Sequence, residues 1–447
     1  MDRESEELLK ELCPGLEIPK SSKAWITRSN KALAKTTHTR DVYPVVDHTR
    51  GEGPWVYDLQ GNQYIDVTAG VGVRALGFRH PGIIDYERRI QEFIREVPGQ
   101  DFDVIPQTIL AERLAAIAPG THEKKVFFTT SGGRAVEAAV KSLIDTKHRH
   151  RFVAFRPAFH GRTGYSLALT ASKHVHKDFY PQGLDVVRSP YPYCYRCPFG
   201  QKEEECDLEC ARYLRDSIQY EGTDIAGIVF EPICGEGGIL PAPGKFVREL
   251  RKIADEVGAG LVSDEVQAGL GRSGLWWSIE HSNVVPDYIC SAKALGVGFA
   301  FAACIGPAPM YTDWGRHSET FGAEPYVALL SLAQLHIIVR DGLLENVRNR
   351  SKQLLSGLRD IQGGSRIIGD VRGLGLMCAV EIVSSRDKMK ENIDLRNTLL
   401  NNCVKKHGLW IIGAGRNCLR FLPSLNITAE QIDIILERFG NAVKDTG

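Results

Sequence analysis

A chain of 447 residues with 55 basic and 55 acidic side chains gives neither nucleic acid nor an anionic membrane an electrostatic reason to bind. Its 43% hydrophobic and 25% charged residues are ordinary globular composition, which excludes a disordered or fibrous chain and allows a large buried core. The start, MDRESEELLKELCPG, is charged and lacks the apolar segment of a secretory signal; the uncharged run 294–310 is short and interrupted by Gly and Pro, so a soluble cytoplasmic protein is expected.

Along the chain, VYDLQGNQYIDV (56–67) alternates on either side of Gln60-Gly61-Asn62 and predicts a hairpin. Short apolar runs then alternate with helical patterns. The runs are VFFTT (126–130), RFVAF (151–155), GIVFEP (227–232), GLVSDEV (260–266) and DYICSAK (287–293). Between them SGGRAVEAAVKSLIDT sets Val136, Ala139, Val140 and Leu143 on one helical stripe, and CARYLRDSIQ and GKFVRELRKIADEVG are amphipathic. Continuous apolar strands between helices predict an α/β fold with a mostly parallel sheet covered on both faces. Ligands of such sheets lie beyond the carboxyl ends of the strands, where Thr130, Phe159, Glu231, Asp264 and Lys293 stand. Farther on, LLSLAQLHIIVRDGLLENVRNRSKQLLSGLRDI predicts a long helix and RGLGLMCAVEIV a strand. ITAEQIDIILERFGNAVK predicts a final helix with a Thr428/Gln431 capping box.

Lys293 is the only charge after Asp287 in PDYICSAKALGVGFAF. An ammonium among apolar groups has its charged form disfavoured, and the neutral amine can bond an aldehyde; an amine that reaches solvent or a carboxylate is the other reading. Asp264 ends an apolar run, where a carboxylate serves a metal, a cation or the ring nitrogen of pyridoxal phosphate, or else caps a helix. Ser131-Gly132-Gly133 joins a strand to a helix and presents backbone N–H groups suited to a phosphate, though a plain tight turn has the same sequence.

These residues, with RGEGPWVYDLQGNQYIDVTAGVGV, FHGRT, FEPICGEGG, SDEVQAGLGRSG, SETFGAEP and LRFLPSL in one order over nearly the whole chain, resemble the class III, or omega, aminotransferases of the fold-type I pyridoxal-phosphate enzymes. FHGRTGYSLALT is similar to the 4-aminobutyrate aminotransferase branch; YPVVDHTRGEGPWVYD resembles archaeal-type members, some of which racemise amino acids. The resemblance implies a large sheet domain over 86–330 and a smaller α+β domain from residues 1–85 and 331–447. It implies pyridoxal 5'-phosphate bonded to Lys293, with Asp264 on the ring nitrogen, Gln267 on the phenolic oxygen, Val266 and Phe159 on the two ring faces and His160 beside them. Ser131, Gly132 and Gly133 would hold the phosphate, which Thr320 of a neighbouring subunit would also reach, making a homodimer or larger assembly. Arg420 would bind a substrate carboxylate, Glu231 would mask Arg420 when an omega-amino acid binds, Arg162 would hold the distal carboxylate, and Val71 would line the pocket. The implied activity transfers an amino group from an omega-amino acid or amino acid to 2-oxoglutarate; racemisation on the same scaffold is the alternative. Arg134, Phe78, Glu324 and Cys234 stand where the family more often has glutamate, histidine, asparagine and a polar amide.

Four of the eleven cysteines are clustered in YPYCYRCPFGQKEEECDLEC, within an insertion over 191–212. Cys194, Cys197, Cys206 and Cys210 have the spacing of a tetrahedral structural zinc site; two disulfides or four free thiols are the alternatives.

Overall fold

The computed structural model describes residues 3–34, 42–92, 94, 100–385 and 389–447. Its centre is a seven-stranded sheet of β1 (Lys124–Thr129), β2 (Arg151–Arg156), β3 (Asp185–Pro190), β4 (Ile225–Phe230), β5 (Gly260–Asp264), β6 (Tyr288–Ser291) and β7 (Ala302–Pro307), in the order β1-β7-β6-β5-β4-β2-β3. The pairings β6–β5, β5–β4, β4–β2 and β2–β3 are parallel, whereas β7 runs antiparallel to both β1 and β6. Every residue of β4, β5 and β6 is buried, as a sheet covered on two faces requires. The sheet is thus the mostly parallel one expected, with two strands the periodicity did not reveal: β3 at an edge, and β7, which follows Lys293.

Helix α1 (Gly132–Lys147) starts where β1 ends. Ser131 caps it by accepting from Arg134 N at 3.5 Å, and the expected stripe of Val136, Ala139, Val140 and Leu143 is buried. Leu143 presses onto the sheet where two strands lack side chains: a Cβ at Gly227 would meet Leu143 Cδ1 at 2.7 Å, and one at Gly260 would overlap Leu143 Cδ2. Glycine here permits close helix-to-sheet packing.

The hairpin Trp55–Tyr57/Gln63–Asp66 forms as expected, its turn braced by Asp58, which accepts from Gln60 N and Asn62 N at 2.9 Å each. Strand Leu409–Trp410 then joins it in parallel, with Leu409 opposite Ile65, so the two ends of the chain share one sheet. A separate antiparallel sheet has the order Ile368–Gly373, Cys378–Ile382, Cys418–Phe421, Ile412–Ala414. The segment RGLGLMCAVEIV is therefore two strands' worth of sequence, with a turn at Gly375 (φ +62°) between them. The long helix expected after residue 329 is also two, Pro325–Arg340 and Leu343–Gly363, bent by 66°; Gly342 adopts φ +61° at the break, a left-handed geometry that ends a helix. The Thr428/Gln431 capping box is formed. Among the described residues, no single helix is long and apolar enough to cross a membrane.

The cysteine-rich insertion is pinned to the small antiparallel sheet through Glu381, whose side chain is fully buried and takes Arg196, Tyr193 and Arg372, the last at 2.8 Å.

Candidate active site

Beyond the carboxyl ends of β2, β4 and β5 a cavity of about 460 Å³ opens between the large sheet and the C-terminal strands. Gly132, Gly133, Phe159, His160, Asp264, Val266, Gln267 and Lys293 all line it, with Val71, Arg162, Glu231 and Arg420. Two of the residues expected at the cofactor are elsewhere: Ser131 serves as the cap of α1, and Thr320 is exposed.

Lys293 follows β6 by two residues and has φ +41°, a strained backbone position for a residue with a Cβ and one that clusters at functional sites. Burial pushes its amine pKa down, with Asp264 opposing the shift, so the neutral, nucleophilic form is favoured relative to an exposed lysine. Val71, a β-branched residue at φ +64° between Gly70 and Gly72, shows the same kind of strain on the facing wall. A Cβ at Gly72 would stand 3.8 Å from Lys293 Cδ.

Asp264, 4% exposed at the end of β5, accepts from Val266 N at 3.1 Å and is joined to His160 Nδ1 at 2.7 Å. Among the described residues, His160 Nε2 is buried without a hydrogen-bond partner, as is Gln267 Oε1. Such orphaned polar atoms are costly in a closed interior and are expected where a ligand completes the network. At the start of α1 the glycines cannot be replaced freely: a Cβ on Gly132 would meet Val266 Cγ1 at 2.7 Å. A helix N-terminus bared of side chains, an aspartate for a ring nitrogen, an unsatisfied amide and a buried lysine whose charged form is disfavoured suit pyridoxal phosphate in charge, size and chemistry.

The carboxylates divide differently from expectation. In the structure Glu231 is not the group paired with Arg420. Its two oxygens accept from Phe159 N at 2.9 Å and Gly235 N at 2.8 Å, and burial pushes its pKa up to about 7, with His160 opposing and Asp264 adding to the shift. The partner of Arg420 is Glu236, five residues on in the same motif, with Nη1–Oε2 at 3.2 Å; Lys173 holds the other oxygen of Glu236 at 2.5 Å. Burial raises the pKa of Glu236, but Arg420 and Lys173 outweigh it and hold the carboxyl ionised. The reason is reach: backbone amides have already claimed Glu231 at the end of β4, whereas Glu236 sits past the turn that carries it toward the C-terminal strands. Both glutamates were visible in FEPICGEGG; only the tertiary pairing distinguishes them. Arg420 is 3% exposed, and among the described residues its Nε and Nη1 have no acceptor in hydrogen-bond geometry, so a planar carboxylate would relieve an under-satisfied buried guanidinium.

Sequence reasoning missed Glu236, Lys173 and Arg396, which also line the cavity; the first two could have been suspected from their places in FEPICGEGG and after FHGRT. The atypical residues have structural roles. Arg134 pairs with Glu319 at 3.5 Å, Glu324 caps the helix at Pro325, Phe78 lies under the Arg74 guanidinium, and Cys234 rests on Glu231 at 3.5 Å.

The zinc expectation finds no support in the structure. Among the described residues no group of three or more His, Cys, Asp and Glu side chains is placed to hold a metal ion. All four clustered cysteines are free thiols, so the disulfide alternative is not realised either. They line one small pocket together with Pro192, Pro198, Leu208, Pro243, Glu203 and Lys245. Burial pushes the Cys194 thiol up to about 12 and Cys210 to about 11.

Comparison with known proteins agrees with this geometry. The family pattern for aminotransferase class-III matches residues 36–443. A probable 4-aminobutyrate aminotransferase of Bacillus subtilis (strain 168) is 34% identical over 390 residues, 85% of this chain and 88% of that protein. A leucine/methionine racemase of Thermococcus litoralis is 30% identical over 430 residues, 94% of this chain and 95% of the other. The PMP-bound form of an aminotransferase from Vibrio fluvialis superposes with a TM-score of 0.87 at 26% identity, covering 96% of this chain and 99% of that one. A lysine, an aspartate and an arginine converging on one cavity, in a chain matched from near its start almost to its end, place this protein in the class-III aminotransferase family, with the fold-type I α/β architecture.

Proposed function

We propose that the protein transfers an amino group from an omega-amino acid or amino acid, 4-aminobutyrate-like in form, to 2-oxoglutarate. The observation that carries this reading is Lys293, a lysine with a depressed pKa facing the Asp264–His160 pair across a cavity that also holds the under-satisfied Arg420.

Pyridoxal phosphate, when bound, supplies an electrophilic carbonyl carbon and a conjugated ring that accepts the electron pair left when a donor loses its proton. Lys293 would hold it covalently, Asp264 would pair with its ring nitrogen, and His160, bonded to Asp264 Oδ2, would fix that carboxylate's orientation. Gln267 would donate to its phenolic oxygen, and the N–H groups at Gly132 and Gly133 would bind its phosphate. Val266 and Phe159 would close on the ring from either face and exclude water. Lys293 Nζ would be the base that takes the proton from the donor carbon bearing nitrogen, a role that needs the neutral amine. Arg420 would bind the α-carboxylate of donors that have one, with Glu236 giving way; donors without an α-carboxylate would leave the Glu236–Arg420 pair closed. Arg162 would serve the distal carboxylate.

The other carboxylates of the cavity favour transfer over racemisation. Among the described residues that line the cavity, Glu231 is tied to two amides and Glu236 to two cations, so neither of these carboxylates is free to serve as the second acid a racemase needs. We also read the two chain ends, joined at Leu409–Ile65, as one small domain, and the exposed Thr320 as a group that completes the phosphate site of a second subunit. The test is a half-reaction. Holoenzyme given one amino donor and no keto acid should lose its aldehyde absorption band and release the carbonyl product, while Lys293→Ala should do neither. Retention of the band together with inversion of an amino acid's configuration would favour the racemase.

A further inference from the structure

The cavity contains more positive charge than its own carboxylates use. Glu236 is shared by Lys173 and Arg420, Glu231 is held by backbone amides, and Asp264 is joined to His160. Arg396, from the first turn of helix Ile393–Lys405, lines the same cavity. Among the described residues its side chain has no ion pair and no hydrogen bond, and its Nε is buried without a partner. It has a slot of its own: a Cβ on Gly413 would overlap Arg396 Nη1. Gly413 lies beside Ile412, the cross-strand neighbour of Arg420, so both guanidinium groups belong to the same wall. Arg162, by contrast, is exposed and lies against the Phe159 ring, 5.6 Å from its centroid.

An arginine with a buried unsatisfied nitrogen, facing a substrate cavity, is stabilised by an incoming acceptor. When an α-carboxylate displaces Glu236 from Arg420, Lys173 still balances Glu236 and Arg420 balances the newcomer. Arg396 remains unmatched. We infer that Arg396 is a specificity-determining residue that binds the second carboxylate of a dicarboxylic substrate, and the single carboxylate of an omega-amino acid whose amine lies at Lys293. The inference rests on the proposed aminotransferase reading and replaces Arg162 with Arg396 as the main anchor of the distal carboxylate.

Equilibrium binding of unreactive acids tests this without turnover. Glutarate and butyrate differ by one carboxylate, and each can be titrated into the holoenzyme by calorimetry. The wild-type protein should bind glutarate at least about tenfold more tightly than butyrate. Arg396→Gln should bring the two within about twofold, Arg396→Lys should keep part of the preference, and Arg162→Gln should keep most of it. Gly413→Ala displaces the guanidinium without deleting it and should resemble Arg396→Gln, with the melting temperature of each variant confirming that it is folded. No glutarate preference in the wild type, a preference that survives in Arg396→Gln, or one that disappears in Arg162→Gln would overturn the assignment. Failure of the aminotransferase reading would show separately, as no donor-driven loss of the aldehyde band.

Discussion

Removing the charge of Glu236 should separate the two kinds of amino donor. Glu236 Oε2 lies 3.2 Å from Arg420 Nη1, and at an effective dielectric of about 20 that pair is worth at most about 5 kcal/mol. The side chain of Glu236 is 21% exposed and that of Arg420 only 4%, and an arriving carboxylate exchanges one ion pair for another. Discounting the ceiling on these grounds leaves about 1.5–2 kcal/mol of competition, or about 10–30-fold in affinity. In Glu236→Gln, the KM for L-glutamate in the half-reaction should therefore fall by about that factor. For 4-aminobutyrate the effect should be opposite: an open Arg420 attracts its only carboxylate and seats it in reverse, lowering kcat/KM. Glu231→Gln is the control and should not separate the donors, because Glu231 contacts backbone amides rather than Arg420. Stopped-flow decay of the aldehyde band with each donor measures both effects. The reasoning fails if Glu231→Gln produces the split, or if Glu236→Gln shifts both donors alike.

Other perturbations have equally definite outcomes. Gly132→Ala drives a methyl into Val266 at 2.7 Å and should cost about 1–3 kcal/mol by overpacking, with weaker retention of pyridoxal phosphate on dialysis. Glu265 is 1% exposed, and burial pushes its pKa up to about 7 against the backbone bonds from Ile279 and Ser278. The folded state therefore holds an extra proton between the ordinary carboxyl range and pH 7; that stabilisation is complete at low pH and is lost as pH rises through 7. Glu265→Gln should remove up to about 3 kcal/mol of this pH dependence, measurable as flattening of the urea midpoint between pH 5 and 8. Glu381→Ala leaves the buried guanidinium of Arg372 without this partner and should cost about 3–5 kcal/mol, seen as a lower denaturant midpoint.

The local grammar of the chain was sufficient for much of this protein. Apolar runs bounded by helical stripes led to β1, β2, β4, β5 and β6, because a strand buried on both faces must be continuously hydrophobic. Lys293 and Asp264 stood out because an unpaired charge in such a run needs a reason. The Thr428/Gln431 box and the turn at Gln60-Gly61-Asn62 were legible because each is set by residues only a few positions apart. Pairing over long range was not legible. β7 reverses direction next to β6 although its composition resembles that of its parallel neighbours. The long helix divides where Gly342 adopts a left-handed geometry that the surrounding pattern did not require. Two glutamates in FEPICGEGG are equivalent as letters, yet one is consumed by amides and the other faces Arg420. Four cysteines with metal-like spacing line a pocket beside prolines and a leucine without forming a metal-holding group among the described residues, and Arg396, unremarked in its sequence, enters the cavity only because Gly413 leaves room. Sequence determines which groups cannot remain unpaired; tertiary structure decides which partner each one receives, because the partners come from segments far apart in the chain, as Ile65 and Leu409 do.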